Sequence, residues 1–574
     1  MSESNWPSIE EQLAEAQGEP FDRVSGTALE RFIREHQNFE ILSPTEGPND
    51  EIDLPPWLRV AWRDAHPEQE YRADDPTGGY PLALEALYAW MLAHPDLRPG
   101  SEDGGESPQL ADDPPDTADA GPDPAGGPVA LLEREEAAPD FFLAVAPSPK
   151  VGTNRRISGL QGTLRAESDL RVNFRRPRRI IAASNAVGPQ AQFWSTDGGQ
   201  TWRQTTLPLL AQDLTHSDPT VDWTSDGTAW ATTIGITGLN LELRAYRSAD
   251  RGRTWRFDAT FSGTQTAADK QMMWADHSRT SPFRNNIYVV WHNGRPVFVN
   301  RRTGPAGAWQ TPIQISGAET TGTGIGADIT TNSAGDVFAM WPDTGSQRIF
   351  VAKSTNGGVS YSAPVTIATT FDSFKVRVPS FAVRGAHILV TAAAYKTSNK
   401  DLVYVAWTDL SGAPGCTTGL DAPGSNVSST CKSRIWFSRS TNGGTNWTAP
   451  TMINNQASRN DQFNPRMVVD EDNGDLVIIY YDTVRDAARL RTDVWCQTST
   501  NDGVTWSAAT RVTTAQTDET GAGASGFQYG EYNGLSGIDG TFHSCWTDRR
   551  GGVREEIWTA KISLEDDDDD DDDD

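Results

Sequence analysis

Nowhere in these 574 residues is there an uninterrupted apolar run of 18, which excludes a membrane-spanning helix. The opening Met1-Ser2-Glu3-Ser4-Asn5-Trp6 lacks the basic region and apolar core of a Sec leader, so a cytoplasmic chain, or one exported by a leaderless route, is expected. Cysteine is scarce, with four residues, and does not decide the compartment. Cys416 and Cys431 bracket a Gly/Pro/Ser/Asn loop and are candidates for a bridge worth about 3 kcal/mol if oxidised. Cys496 and Cys545 fall in expected strands and read as buried free thiols.

Positive charge is missing from both ends. Residues 1–150 hold 9 Lys/Arg against 32 Asp/Glu, and the segment from Leu564 holds none against 10. Residues 151–563 keep 40 against 36, so the net charge of −29 is peripheral and the middle of the chain is mildly basic. That balance leaves the middle free to attract an anionic ligand. The nine aspartates at 566–574 read as a solvated tail, with at most a weak attraction for divalent cations or a basic protein surface. No other cofactor, no metal centre and no nucleic acid partner is expected.

What the chain does have is a repeated turn. Ser195-Thr196-Asp197-Gly198-Gly199-Gln200-Thr201-Trp202 returns as Ser248 to Trp255, Ser354 to Tyr361, Ser440 to Trp447 and Ser499 to Trp506, with Asp250, Asn356, Asn442 and Asn501 in place of Asp197. The gap between the second and third copies is twice that between the first and second, and a degenerate copy fills it at Asn300 to Trp309. In each, an Asp or Asn side chain accepts from nearby backbone N–H groups and a glycine takes the positive φ of a tight turn. Self-similarity at this period signals a repeat architecture.

These turns resemble the Asp-boxes of the sialidase-like β-propellers. The resemblance covers most of residues 170–563 and is similar in detail to bacterial seven-bladed members at Asp269-Lys270 with Trp274 and Asp276, at Asp461-Gln462-Phe463, and at Trp546-Thr547-Asp548-Arg549. It implies an all-β propeller in which each box caps the hairpin between the third and fourth strands of a blade, remote from the ligand face. Inner strands are expected to open at Arg179–Ala182, Asp218–Val221, Lys270–Trp274, Gly326–Ile329, Val376–Phe381, Asn464–Val469 and Glu531–Leu535. Seven blades follow, with six as the alternative, and Ile157 to Arg165 is expected to supply the strand that closes the ring.

The expected organisation is an acidic segment over 1–20, a small α-helical module over 21–98, a Pro/Gly/acidic disordered linker over 99–140, the propeller over 141–563 and the poly-aspartate tail over 564–574. In the module, Leu84, Leu87, Tyr88 and Met91 lie at i, i+3, i+4 and i+7 of one helix. At about 80 residues its core is marginal, so support is expected either from a protein partner or from its own aromatic cluster of Trp57, Trp62, Tyr71, Tyr80 and Trp90.

For the central face the resemblance implies arginines gripping a carboxylate, a tyrosine nucleophile backed by a glutamate, and an aspartate acid/base. Arg175 in Phe174-Arg175-Arg176-Pro177, Arg377 in Val376-Arg377-Val378-Pro379, Arg466 in Phe463-Asn464-Pro465-Arg466, and Lys270 are the expected ligand-binding cations. Tyr529 with Glu531, two apart and so on one face of a strand, is the expected catalytic couple, with Asp218 or Asp269 as acid/base. A glycan- or protein-binding face is one reading. An exo-glycosidase of sialidase type acting on acidic glycans is the alternative. Fold alone does not choose between them.

The linker assignment makes a prediction. Limited proteolysis is expected to cut between Pro99 and Pro139 and to leave the melting transition of the propeller unchanged. A large fall in melting temperature after the cut would place the helical module against the ring.

Overall fold

The computed structural model describes residues 148–564, apart from 159–164, 238–239, 305, 317–323, 383, 415, 417–428, 522–526 and 551–553. The helical module, the linker and the poly-aspartate tail lie outside the described residues. Among those described, no helix is long and apolar enough to cross a membrane.

Seven antiparallel sheets of four strands form a closed ring, a seven-bladed β-propeller. Their inner strands are Ala166–Val172 in blade I, Thr215–Trp223 in II, Ala268–Ala275 in III, Asp328–Thr331 in IV, Val390–Lys396 in V, Gln462–Val469 in VI and Gly534–Ile538 in VII. Each neighbours the next, and blade VII returns to blade I. Lys150–Val151 and Arg155–Arg156 pair with Glu556–Ser563 as the outer strand of blade VII, so the ring is closed by the other end of the propeller. The closing strand thus precedes the expected Ile157–Arg165, although Ile157 and Arg165 still donate their N–H groups to Ile557 and Glu555 along the same edge.

Two expected inner strands are elsewhere. Ile180–Asn185 is the second strand of blade I, because the true inner strand, Ala-Glu-Ser-Asp-Leu-Arg-Val, carries its charges into the channel and so lacks an apolar signature. Lys375–Val376 belongs to a short hairpin with Ala386–His387 that is inserted ahead of blade V. The insertion displaced the reading by about one strand, and the real inner strand starts at Val390.

Packing between blades is apolar and dense. The second strands of blades II, III, IV, V and VII each bury one tryptophan: Trp230, Trp291, Trp341, Trp407 and Trp546. These fill the wedges between sheets, where a flat ring spans the sheet spacing of about 10 Å.

The inner strands carry a different burden. Facing inner strands of adjacent blades do not ladder with each other, so their N–H groups on that edge need other acceptors. Side chains of the preceding blade provide them. Asp169 accepts from Val221 N at 2.9 Å, Asp222 from Ala275 N at 2.8 Å, and Asp328 from Ala392 N at 2.9 Å. Thr391 accepts from Met467 N at 3.0 Å.

At the outer rim the repeated turns lie between third and fourth strands. In blade I, Ser195 Oγ accepts from Gly199 N at 2.9 Å, Asp197 accepts from Thr201 N at 3.0 Å, and Trp202 Nε1 donates to Gly199 O at 3.1 Å. Blade II repeats these bonds with Ser248, Asp250, Thr254 and Trp255. The glycine at the fifth position of a box is required twice over. Gly252 has φ +85°, and a Cβ there would meet Ile181 and Trp194 of blade I; Gly503 has φ +76°, and a Cβ there would meet Phe437 of blade V. Each box is therefore pressed against the blade before it. Cys416 and Cys431 are joined across the insertion between the second and third strands of blade V, with their Cα atoms 5.0 Å apart.

Trp255 is 6 % exposed. Trp255→Ala is expected to cost about 3–5 kcal/mol in urea titrations, as removal of a large buried aromatic does. A loss below about 0.5 kcal/mol would mean the box is a surface ornament.

Candidate functional site

The inner strands all start at one face, here the mouth face. Turns between first and second strands, and the boxes, lie at the opposite face because the strands alternate in direction. At the mouth face a backbone irregularity recurs. Glu167, Asp218, Lys270 and Asn464 have φ between +49° and +56°, and in each of these blades the register to the second strand shifts at that point. Non-glycine residues adopt this conformation at a cost of order 1 kcal/mol each. A bulge with one residue in the left-handed region re-aims a side chain. Here it is repeated around one channel, and the re-aimed residues are polar.

Their side chains interlock. Asn185 joins two of them, accepting from Asp218 N at 2.9 Å and donating Nδ2 to Glu167 Oε2 at 2.7 Å. Asp218 accepts from Lys270 N at 3.1 Å. Lys270 places Nζ 3.5 Å from the centroid of the Tyr532 ring. The insertion ahead of blade V contributes Arg384, whose Nη2 donates to Glu531 Oε1 at 2.6 Å while Nη1 reaches Glu167 Oε1 at 3.5 Å. One guanidinium therefore bridges two carboxyl groups. His387 Nδ1 lies 2.9 Å from the same Glu531 oxygen, and the ring stacks on Phe374 at 4.5 Å.

Burial and neighbours set these groups apart electrically. Burial acts against a charge on Glu531, but His387 and Arg384 outweigh it, and the carboxyl is held well below the usual carboxylate range. Burial raises Glu167 to about 7, with Arg384 opposing and Glu531 adding. Burial, Glu167 and Asp269 push Asp218 well above its ordinary value. Burial lowers Lys270 against the pull of the surrounding carboxylates, and burial lowers His387. An ionised Glu531 only accepts, so His387 Nδ1 carries the proton and donates; in the neutral ring Nε2 is then an acceptor, and it has no partner.

A narrow cavity with room for a water-sized group opens here, lined by Lys270, His387, Arg466, Glu531 and Tyr532 with apolar walls from Met272, Leu389 and Val390. Three buried polar atoms on its lining have no partner among the described residues: His387 Nε2, Tyr532 Oη and Arg466 Nε. Among the described residues no group of three or more His, Cys, Asp or Glu side chains is arranged to hold a metal ion.

The residues expected from sequence are distributed as follows. Glu531, Lys270 and Arg466 line the cavity, and Asp218 lies directly behind Lys270. Arg466 is already committed through Nη1 to Asp328 at 3.0 Å, across from blade IV. Asp269 turns its carboxylate back towards His292, 3.3 Å away. Tyr529 is not at the cavity. It is fully buried among Phe381, Phe463 and Tyr481, with centroids 4.9–5.1 Å apart, and burial drives its hydroxyl well above the ordinary range. The alternation argument failed because residues 527–533 form a turn and bends, not a strand; Gly530, at φ +68°, bonds its N–H to Phe527 O. Tyr532, adjacent to Glu531, is the tyrosine that reaches the cavity. Arg175 is exposed in the turn after the first strand of blade I, at the opposite face. Arg377 is half-buried in the insertion and does not line the cavity; Arg384, seven residues on, is the arginine that reaches Glu531. Glu167, Arg384 and His387 had no sequence signal, since none sits in a repeated motif.

No protein-family model matches the chain, and no curated protein does. Solved structures similar to it include a protein of unknown function from Dyadobacter fermentans at 12 % identity, covering 73 % of this chain and 100 % of that one with a TM-score of 0.39. An α-L-arabinofuranosidase from Fusarium graminearum is similar at 13 % identity, over 60 % and 92 % of the two chains, with a TM-score of 0.36. A leech intramolecular trans-sialidase is similar at 12 % identity, over 63 % and 71 %, with a TM-score of 0.39. Likenesses at this level carry no information about ligand or reaction.

The Glu167 environment predicts a pH effect. A carboxyl raised from 4.5 to about 7 on folding favours the native state fully below about 4.5, and that contribution fades as the pH rises through about 7. The difference is on the order of 3 kcal/mol. Glu167→Gln is expected to flatten the fall in melting temperature between about pH 4.5 and 7 relative to the parent. Parallel curves for the two proteins would place the Glu167 proton elsewhere.

Proposed function

We propose that the mouth face binds a glycan, inserting one hydroxyl or hydroxymethyl group into the cavity beside Glu531. The observation that carries this is the set of unpartnered polar atoms, His387 Nε2, Tyr532 Oη and Arg466 Nε, around a space of that size. Buried polar atoms are normally paired, so a lining with both donors and acceptors vacant suits a hydroxyl, which offers both.

Charge bookkeeping at the mouth favours a neutral sugar over an acidic one. Glu167, Asp218, Asp269 and Glu531 stand around Lys270 and Arg384, and Arg384 is spent on Glu531 and Glu167. Arg466 gives Nη1 to Asp328. An entering carboxylate would also stand against Glu531, which its neighbours hold ionised. The acidic glycan expected from the mildly basic ring is therefore replaced in this reading by a neutral one.

A second reading, hydrolysis of a glycosidic bond, is favoured by one feature: Glu531 held ionised and Glu167 raised to about 7 on the same guanidinium. Two carboxyl groups pushed apart in this way can divide base and acid roles. The size of the cavity weighs against it, because a sugar ring does not enter.

Tyr532→Phe provides the test. The hydroxyl has no partner in the fold, so its loss is expected to leave stability unchanged or raise it. Affinity for a neutral oligosaccharide found in a library screen is expected to fall about 2- to 12-fold by calorimetry, the loss of one hydrogen bond. Unchanged affinity would remove the ligand from this cavity. Turnover by the parent that is abolished in Glu167→Gln, with binding intact, would decide for hydrolysis.

A further inference from the structure

The face opposite the mouth carries an uncompensated patch of arginines. Arg175, Arg176 and Arg178 are exposed and Arg179 half-buried in the turn between the first two strands of blade I. Arg251, from the box of blade II, is exposed beside them, because that box packs on Ile181 and Trp194 of blade I. Arg253 of the same box lies over the Trp194 ring at 4.8 Å. Elsewhere in the ring several arginines are paired with carboxylates, Arg156, Arg171, Arg244, Arg302 and Arg489 among them. Among the described residues no carboxylate lies within ion-pair distance of Arg175, Arg176, Arg178, Arg179 or Arg251. Arg179 feels the crowding: burial, Arg176 and Arg251 all lower its pKa.

The end of the propeller emerges on this face, next to that patch. Strand Glu556–Ser563 runs towards it, and Leu564 N donates to Gly540 O in the turn between the first two strands of blade VII. Within blade VII, Lys561 pairs with His543, and His543 is the group that a Cβ on Gly199 of box I would meet, at 3.1 Å. The adjoining Gly198 N donates to Arg178 O at 2.9 Å. Blade VII and box I are thus packed together between the exit of the chain and the arginines. Ten residues, Glu565 to Asp574, remain beyond Leu564, all of them acidic, with an extended reach of about 33 Å. On the other side of the exit the turns are acidic: Asp539 in blade VII, and Asp470, Asp472 and Asp475 in blade VI, where burial followed by Asp470 and Asp539 raises Asp472. The described surface around the exit is therefore acidic on one side and basic on the other.

We infer that the poly-aspartate tail docks within its own chain on the arginine patch of blades I and II, covering the rim face as a built-in polyanion. Tethering puts the tail at an effective concentration of order mM, so individually weak surface pairs suffice to keep the patch occupied. The contact is electrostatic and exposed, so it is strong at low salt and lost where screening shortens to a few ångströms. The patch is thereby closed to other polyanions unless the tail is displaced.

The test uses a fluorescein-labelled nona-aspartate peptide, anisotropy as the readout, and the full chain with Asp566 to Asp574 all changed to Asn. At about 50 mM salt the neutral-tail chain is expected to bind the peptide at least about 10-fold more tightly than the parent, and to release it by about 0.5 M. Adding Arg175→Ser, Arg176→Ser, Arg178→Ser and Arg179→Ser to the neutral-tail chain is expected to abolish that binding, with an unchanged melting temperature confirming an intact fold. Equal peptide binding by parent and neutral-tail chains overturns the proposal, as does binding that survives the arginine changes. Two further outcomes also overturn it. A parent retained on immobilised heparin as firmly as the neutral-tail chain would mean the patch is open, and tail-dependent dimers in sedimentation would mean the tail docks on a second copy.

Discussion

The ring depends on how the inner edge of each blade is satisfied. Seven strands stand around a channel with N–H groups that no backbone neighbour accepts, and buried orphans of this kind each cost about 1–3 kcal/mol. Aspartates and threonines one blade back take them: Asp169 for Val221, Asp222 for Ala275, Asp328 for Ala392, Thr391 for Met467. This forces carboxylates into the centre of the molecule, and the centre then needs cations. Arg171 on Asp169 and Arg466 on Asp328 follow from that need. The charged channel is thus first a solution to closing the ring. Only its upper layer, where the bulged residues sit, is surplus to that requirement and available to a ligand.

The rim and the channel were legible in the sequence to different degrees, for a physical reason. A box is a local object: Ser195, Asp197, Gly199 and Trp202 make their bonds within eight residues, so the pattern that forms the turn is the pattern in the sequence. The mouth is assembled from seven blades, and Glu167 meets Arg384 across 217 positions. Nothing in Phe381-Ala382-Val383-Arg384 marks the arginine as a channel group. Lys270, Glu531 and Arg466, which line the cavity, lie next to recognisable strand openings. Tyr529 was misplaced because alternation was applied to a turn, and Arg175 and Arg377 because a short motif was weighed without knowing which end of which strand it would occupy. The first inner strand was missed for a related reason. A strand that faces a polar channel reads as polar, so Ala166–Val172 was passed over for its apolar neighbour.

The two faces of the disc are consequently different materials. At the mouth, the polar groups are buried, interlocked and held by bulges in the left-handed region, so their geometry is fixed by the backbone. At the rim, charges are exposed and segregated, arginines over blades I and II and aspartates over VI and VII. A pattern of the first kind recognises shape and hydrogen-bonding groups. A pattern of the second kind responds to ionic strength and to long flexible partners.

Closure by Lys150–Arg156 has a consequence for the birth of the molecule. Of the propeller's strands these two short ones are synthesised first, yet their partner Glu556–Ser563 is made last. Six blades can form in order on the ribosome, each hairpin folding against the one before. Blade VII cannot, and until it does blade I presents an uncovered apolar flank, including Leu170, Ile180 and Phe193, to whatever is nearby. Pairings of such long sequence separation are slow to form. Until Glu556–Ser563 is made, the propeller stays an open arc.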